Sequence, residues 1–278
     1  MRRFLIVAVG AVSGVAFAQI ATAADLPIKM PLYEPSAVVA DNWTGFYVGG
    51  SLGWRWADST WNTTAIGDPA GPVDPTTTPA SFNSSAFRVG GYFGYNSQIG
   101  PWVVGLEADV AWAQKSATQA GIPGTFGTGG QGVDLGAMAV DSSSVKLKWD
   151  GSVRARLGYL VAPTWLIYAT GGFAWQQVEV NATCNGSLVN SSWCLAVRDE
   201  TASITATGWT VGGGVETLLG RNWLLRAEYR YSDYGHTNHT FFETTDQCTV
   251  IPGTQCDRVD MSLSLRTNTA LVGLAYKF

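Results

Sequence analysis

The chain has 278 residues, a formal net charge of −4 and a mean hydropathy of +0.08, and only 14% of its residues are charged. About a quarter of a soluble chain is usually charged, so this composition argues against an ordinary soluble surface. The acidic balance gives no support for nucleic-acid binding. Beyond the N-terminus the sequence predicts no transmembrane helix, because no run of eighteen apolar residues follows. If the chain lies in a membrane, it must cross it as a closed β-barrel.

The first 23 residues have the layout of a secretory signal peptide. Arg2 and Arg3 precede an apolar run from Phe4 to about residue 18, and residues 21–23 (Ala-Thr-Ala) supply a small-x-small cleavage site. We expect cleavage after residue 23, which removes two arginines and no acid and shifts the net charge from −4 to −6. Residues 24–41 contain three prolines and no clean periodicity, and are predicted to be an extended periplasmic leader.

From residue 42 to residue 278 the sequence predicts a β-barrel, because apolar residues recur at every second position, as in strands with one apolar face. We predict a first strand from residue 42, further strands near 84–98, 101–115, 143–161, 164–181, 201–218 and 222–235, and a last strand that ends at Phe278. In the fourth strand, Val145 and Leu147 are expected to face outwards, and Lys146 and Lys148 inwards.

The last strand contains one irregularity. Val272 and Leu274 are predicted to face outwards, but four apolar residues earlier in the strand have the opposite parity: Val259, Met261, Leu263 and Leu265. We therefore expect either a β-bulge near residues 266–269 or an upper part of the strand that projects beyond the membrane.

Short turns alternate with long polar connections along the chain. The turns lie at residues 100–101, 162–164 and 220–222, and the long connections at about 58–83, 116–142, 183–200 and 236–257. This alternation is typical of outer-membrane proteins, with turns in the periplasm and loops outside. The predicted fold is therefore all-β: an eight-stranded antiparallel up-and-down transmembrane barrel with four extracellular loops.

Aromatic residues are expected to form a girdle at each membrane interface, where tryptophan is enriched. The predicted periplasmic girdle consists of Trp43, Trp102, Trp165, Trp223 and Phe278. The predicted outer girdle consists of Trp56, Trp112, Trp149, Trp175 and Trp209.

The ADLP start of the leader, the NWTGFYVGG first strand and the LVGLAYKF ending resemble a family of small Gram-negative outer-membrane surface antigens. Members of this family are usually described as porin-family proteins with an OmpA-like eight-stranded barrel. The resemblance implies that Tyr276 and Phe278 form an assembly signal for the barrel-assembly machinery. It also implies an outer-membrane location among lipid and lipopolysaccharide, with loops that meet host or other surface ligands. We expect a monomer.

Four cysteines lie in the third and fourth predicted loops, and an exported chain passes through an oxidising compartment, so disulfides are expected. Pairing within each loop, Cys184–Cys194 and Cys248–Cys256, closes short rings, and pairing between the loops is the alternative. The spacing lacks the CxxC pattern of a zinc site.

Charged residues at inward positions form the main candidate site. The interior of an eight-stranded barrel is only wide enough for side chains, and buried charges must pair there. Two interpretations stay open: a structural plug of ion pairs, or a narrow gated path with Arg154, Arg156, Glu107 and Glu228 as gate candidates. The predicted network comprises Arg55, Arg88, Glu107, Asp109, Lys146, Lys148, Asp150, Arg154, Arg156, Glu216, Arg226, Glu228, Arg230 and Lys277.

The remaining candidates for chemistry are weaker. His236 and His239 form an HxxH pair that could ligate a metal or haem, and some members of the resembled family are described as haem-binding. Ser232 and His236 would lie about 13 Å apart along one strand, too far for a catalytic dyad. We expect no enzymatic activity, no cofactor and no metal. The predicted function is a structural and surface-interaction role, with a narrow porin or a loop-based ligand site as alternatives.

Overall fold

The computed structural model describes residues 42–67, 73–125, 141–185, 197–243 and 258–278. The predicted signal peptide (1–23) and leader (24–41) lie outside these residues and stay predictions. No helix in the described part of the chain is long and apolar enough to cross a membrane.

The described residues form antiparallel strands in a closed ring. The sheet order is β2-β1-β3-β4-β5-β6-β7-β8-β9, and pairing between β1 and β9 closes it. The eight long strands make up the ring, as the sequence predicted, and the short β2 pairs with β1 at Thr60 and Trp61. The strands are β1 (Gly45–Ile66), β2 (Ala80–Ser81), β3 (Ser84–Ile99), β4 (Trp102–Ala120), β5 (Ser142–Ala162), β6 (Trp165–Asn185), β7 (Val197–Leu219), β8 (Trp223–Phe241) and β9 (Val259–Lys277).

The connections confirm the predicted topology. Short turns at residues 100–101, 163–164 and 220–222 all lie at one end of the ring, and the long connections lie at the other. Gly100 and Gly220 adopt positive φ angles of 60° and 69°, a conformation that glycine accepts without steric cost. By the outer-membrane pattern, the end with the short turns is periplasmic.

The outer surface of the barrel divides into an apolar lower band and a polar upper wall. On β1, Phe46, Leu52 and Trp56 are exposed on the lower outer face, whereas Asp58 and Asn62 are exposed above them. A tilted strand needs about ten residues to cross a bilayer, and β1 has 22. The upper half of the barrel therefore projects beyond the membrane on the loop side.

The aromatic girdles are present with one exception. Trp102, Trp165 and Trp223 are exposed on the outer face near the short turns. Trp43, which was predicted to join them, is 0% exposed, and its indole Nε1 donates a hydrogen bond to the carbonyl oxygen of Pro163 at 3.2 Å. This prediction was wrong because the residue precedes β1 and turns beneath the barrel instead of following the strand.

A β-bulge in β5 reverses the predicted facing in the upper part of this strand, and a second bulge lies beside it in β4. The register shifts between Trp112 and Lys115 in the β4–β5 pairing, and between Leu147 and Asp150 in the β5–β6 pairing. An extra residue changes which side chains face inwards. Leu147 and its neighbour Val145 are therefore buried inside, and the prediction that they face the lipid was wrong.

Strand β9 alternates without interruption. Val259, Met261, Leu263 and Leu265 face the interior together with Leu271, and no register shift falls at residues 266–269. The prediction of a β-bulge at these residues was therefore wrong. A shift does occur in β8, between Asp233 and His236, opposite Leu265. The other expectation, an upper strand that projects beyond the membrane, agrees with the structure.

Candidate functional site

The middle of the lumen is filled by a connected network of ion pairs. Alternating inward positions on neighbouring strands place arginines and carboxylates at the same height. The Cα of Glu107 lies opposite that of Arg154 across β4 and β5, and the Cα of Glu216 lies opposite that of Arg226 across β7 and β8. All of the predicted lumen charges except Lys146 and Lys148 are buried inside. They are Arg55, Arg88, Glu107, Asp109, Asp150, Arg154, Arg156, Glu216, Arg226, Glu228, Arg230 and Lys277.

Arg154 lies at the centre of this network. Its guanidinium donates to Glu107 at 2.5 Å and to Glu228 at 2.7 Å, and it contacts Asp109 at 3.4 Å. Each of these carboxylates has a further arginine partner: Arg226 for Glu107, and Arg230 for both Glu228 and Asp109. The carboxylates are therefore shared between cations, which compensates the cost of burying them.

The network continues towards the extracellular side through Asp150. This carboxylate pairs with Arg88 at 2.6 Å and with Arg55 at 2.8 Å, and Arg88 also pairs with Asp109 at 2.7 Å. Arg55 donates a further hydrogen bond to the Gln176 side-chain oxygen at 2.7 Å. Arg55 thus belongs to the same chain of ion pairs as Arg154.

Arg156 and Glu216 form a more isolated pair on the periplasmic side. Their side chains approach to 2.6 Å and are almost fully buried. Among the described residues, Arg156 is the one cation within ion-pair distance of Glu216. The guanidinium also lies 3.9 Å from the centroid of the Tyr168 ring, and Tyr47, which donates to Glu107 at 2.9 Å, links this pair to the larger network.

An apolar layer, which the sequence reasoning missed, fills the lumen above the charges. Trp61 stacks on Phe241 with ring centroids 5.4 Å apart, and its Nε1 donates to the Thr63 hydroxyl at 3.0 Å. The sequence did indicate this layer, because the apolar residues in the upper half of β9 occupy inward positions. A lumen lined only by polar residues does not explain that pattern. The buried members of this layer include Trp61, Phe82, Val145, Leu147, Phe241 and Met261.

A second apolar layer fills the lumen below the charges. Trp43 packs there against residues of several strands, including Tyr47, Leu166, Tyr168 and Leu224. The described side chains thus occupy the lumen at three successive levels: apolar and aromatic at the periplasmic end, ionic in the middle, and apolar at the extracellular end. This arrangement resembles the core of a folded domain more than the lining of a channel.

The chain is similar to known outer-membrane proteins over almost its whole length. A family model described as "Outer membrane protein beta-barrel domain" matches residues 6–278. The chain belongs to this family. It is an outer-membrane β-barrel protein, as the sequence predicted.

The curated relatives are bacterial outer-membrane proteins. The chain is 29% identical to the "31 kDa outer-membrane immunogenic protein" of Brucella melitensis biotype 1, over 94% of this chain and 95% of that protein. It is 30% identical to the "25 kDa outer-membrane immunogenic protein" of Brucella ovis, over 79% and 85%. It is 29% identical to the "22 kDa outer membrane protein" of Rhizobium leguminosarum bv. viciae, over 70% and 66%. Among solved structures, the outer membrane protein OprG of Pseudomonas aeruginosa is a distant match, with 12% identity, a TM-score of 0.48, and coverage of 84% of this chain and 96% of that one.

In this outer-membrane barrel, Lys146 and Lys148 lie on the outer wall and not in the lumen. Both amines pair with Glu179 of β6, Lys146 at 3.3 Å and Lys148 at a shorter distance, and each lysine side chain is 32% exposed. Their assignment to the lumen network was wrong because the bulge between Leu147 and Asp150 reverses the facing of the upper part of β5. The hydrogen bond from Lys148, followed by that from Lys146, holds the pKa of Glu179 below its usual value despite partial burial.

The two histidines face opposite sides of the barrel wall. His236 is exposed, whereas His239 pairs with Met261 of β9 and packs edge-on against Phe241 inside, with ring centroids 4.6 Å apart. Their side chains therefore do not converge on one ligand, and the structure does not support the HxxH site. In the described part of the chain, no group of three or more His, Cys, Asp or Glu residues is arranged to hold a metal ion.

The remaining predicted site residues lie at the two ends of the barrel. Cys184, at the extracellular end of β6, is disulfide-bonded. Cys194, Cys248 and Cys256 lie outside the described residues, so the pairing stays a prediction. At the periplasmic end, Tyr276 and Phe278 face outwards with ring centroids 5.2 Å apart.

Proposed function

We propose that the protein works as a closed barrel that displays a binding surface outside the cell, and not as a channel. The observation that supports this most directly is the three-level filling of the lumen around the Arg154 network. A conducting path would need water-lined charges, whereas here the arginines and carboxylates neutralise each other and apolar side chains cover them on both sides. The charges then stabilise the barrel and do not form a filter.

The upper wall supports a role in display. About ten residues of β1 lie beyond Trp56, and at ~3.3 Å per residue and a tilt of ~45° they raise the loops by roughly 23 Å above the membrane. The outer face of this wall is polar, with Asp58 and Asn62 on β1 and Asp199 and Ser203 on β7. The Brucella relatives are named immunogenic proteins, which is the behaviour expected of a protein that exposes such a surface.

The display role is proposed to involve binding without catalysis. The Ser232 hydroxyl is buried and donates to the Thr210 hydroxyl at 2.9 Å, whereas His236 is exposed on the other side of the wall. These two residues cannot act as a nucleophile and base. We also propose that the barrel is a monomer and that Tyr276 and Phe278, exposed at the end of β9, are recognised during assembly.

Planar-bilayer conductance tests the closed lumen. Refolded residues 24–278 are expected to be silent, and so is a Lys146→Gln control, because that residue lies on the outer wall. An Arg154→Ala, Arg156→Ala double variant is expected to show sporadic openings, because it empties space inside the network. Steady openings in the wild type, with ion selectivity altered by the double variant, would instead establish a narrow porin.

Epitope insertion tests the display. A short peptide tag placed between residues 68 and 72 or between 126 and 140 is expected to bind antibody on intact cells. The same tag in the turn at residues 163–164 is expected to bind only after the outer membrane is opened. Antibody access to the turn in intact cells would contradict the topology and with it the proposed display.

A further inference from the structure

The β-bulge at Trp149 creates a cationic patch, formed by Lys146 and Lys148, on the outer wall of the barrel. The extra residue in β5 turns Lys146 and Lys148 away from the lumen, so that both amines reach Glu179 on the outer face. A single carboxylate, Glu179, pairs with both amines, so the patch keeps a net positive charge.

This patch lies at the upper edge of the apolar band, at the level of the lipid headgroups. Trp112 and Trp149 are cross-strand neighbours and are both exposed, and tryptophan marks the membrane interface. Strand β5 runs from the loop side towards the periplasmic turn, so Lys148, which directly precedes Trp149, lies just above this interface. The amines therefore lie at the level of the headgroups of the outer leaflet, and not deeper in the lipid or far out in solvent.

The rest of the described outer wall lacks such an excess of positive charge. On the opposite side of the ring, Arg266 of β9 pairs with Asp233 at 3.1 Å, and Arg258 pairs with Asp260 at 3.0 Å. Asp58 is exposed nearby, with its Cα paired to that of Arg266. An anionic headgroup would be attracted to the β4–β6 side and not to the β8–β9–β1 side.

We propose that Lys146 and Lys148 bind a phosphate group of lipopolysaccharide in the outer leaflet. A lysine amine is a compact point charge with three donors, which suits a phosphate oxygen. The Glu179 carboxylate takes the place of the phosphate when no lipid is bound, and it orients both amines towards the same point. This contact attaches the β4–β6 side of the barrel to a lipid of the outer leaflet.

The test measures lipopolysaccharide bound to the refolded barrel, residues 24–278, by native mass spectrometry during a titration. The probes are intact lipopolysaccharide, phosphatase-treated lipopolysaccharide and phosphatidylglycerol. Each cation near an anionic membrane surface contributes about 1 kcal/mol, which is about a fivefold change in affinity. We expect Lys146→Gln, Lys148→Gln to weaken binding of intact lipopolysaccharide about 25-fold, and phosphatase treatment to weaken binding to the wild type similarly.

Two further variants separate a phosphate site from a structural ion pair. Glu179→Gln is expected to strengthen binding about fivefold, because it removes the competing carboxylate and frees both amines; a merely structural pair would not produce a gain. Arg266→Gln is the matched control, an exposed cation on the opposite side of the ring, and is expected to leave the affinity unchanged. Heat-modified gel mobility checks that each variant is folded.

Three results would overturn the proposal. They are unchanged affinity in the double lysine variant, an equal loss in Arg266→Gln, and equal binding of phosphatase-treated and intact lipopolysaccharide. Equal, lysine-dependent binding of phosphatidylglycerol would show a general anionic-lipid surface and would refute the assignment to lipopolysaccharide.

Discussion

Removing Arg156 is expected to destabilise the barrel more than removing Arg154, although Arg154 makes more ion pairs. In Arg154→Met, Glu107 keeps Arg226, and Glu228 keeps Arg230 at 2.9 Å. We expect this variant to cost about 1.5–3 kcal/mol, the value of hydrogen bonds to charged groups.

Arg156→Met leaves a carboxylate without a cation. Glu216 has Arg156 as its one ion-pair partner among the described residues, at 2.6 Å, and both side chains are almost fully buried. Breaking such a pair from one side costs about 3–5 kcal/mol, and the lost contact with the Tyr168 ring adds to this. Replacing both partners, Arg156→Met with Glu216→Leu, is expected to recover most of the loss, because no uncompensated charge remains.

The assay is equilibrium urea unfolding of the refolded barrel in lipid vesicles, followed by tryptophan fluorescence and by gel mobility. The free energies of unfolding of the two single variants and of the double variant are compared with the wild type. A loss in Arg154→Met as large as that in Arg156→Met, or no recovery in the double variant, would refute the reasoning from shared carboxylates.

Three further predictions concern the facing of β5, the packing of two glycines and the state of the cysteines. Leu147→Ala is expected to lower the free energy of unfolding by about 2–5 kcal/mol, because it opens a cavity in the upper apolar layer. Lys146→Ala, on the outer wall, is expected to stay within about 0.5 kcal/mol of the wild type in the same urea assay. A larger loss in Lys146→Ala than in Leu147→Ala would place Leu147 on the outer face. Gly172→Ala is expected to prevent folding, as judged by gel mobility, because the added Cβ would lie 2.1 Å from the carbonyl oxygen of Val153, and Gly171→Ala, whose nearest contacts would be at 3.8 Å, is expected to fold normally. The unreduced protein is expected to show no reactive thiol in a labelling assay, since Cys184 is disulfide-bonded and the remaining cysteines are predicted to pair as well. Two or more labelled cysteines would contradict the predicted pairings.

The sequence predicted the ring and its topology well, because these depend on simple periodicity. Alternation at every second residue located all eight long strands, and the turns at residues 100–101 and 220–222 showed which strands are neighbours. Most of the lumen charges were also placed correctly. Arg154 and Glu228, for example, have the parity opposite to the lipid-facing residues within uninterrupted parts of their strands.

The errors occurred where periodicity is interrupted by geometry that the sequence does not encode locally. Lys146 and Lys148 have the same parity as Arg154, and only the bulge before Asp150 separates them from the lumen. A bulge is set by how neighbouring strands pair, so one strand's sequence does not reveal it. The apolar upper layer was missed for a different reason: a polar lumen was assumed throughout, so the inward parity of Met261 was treated as an irregularity.

The seam between β1 and β9 constrains the order of events during biogenesis. Tyr47 pairs with Lys277, and Ile66 pairs with Val259. The first strand to be synthesised therefore cannot complete its pairing until the last strand is available. Until then the sheet has two open edges, and open edges are templates for pairing with other chains. Closing contacts so distant in sequence is also slow. The unclosed sheet is therefore the state most exposed to aggregation, and its survival depends on what shields those two edges before the final strand docks.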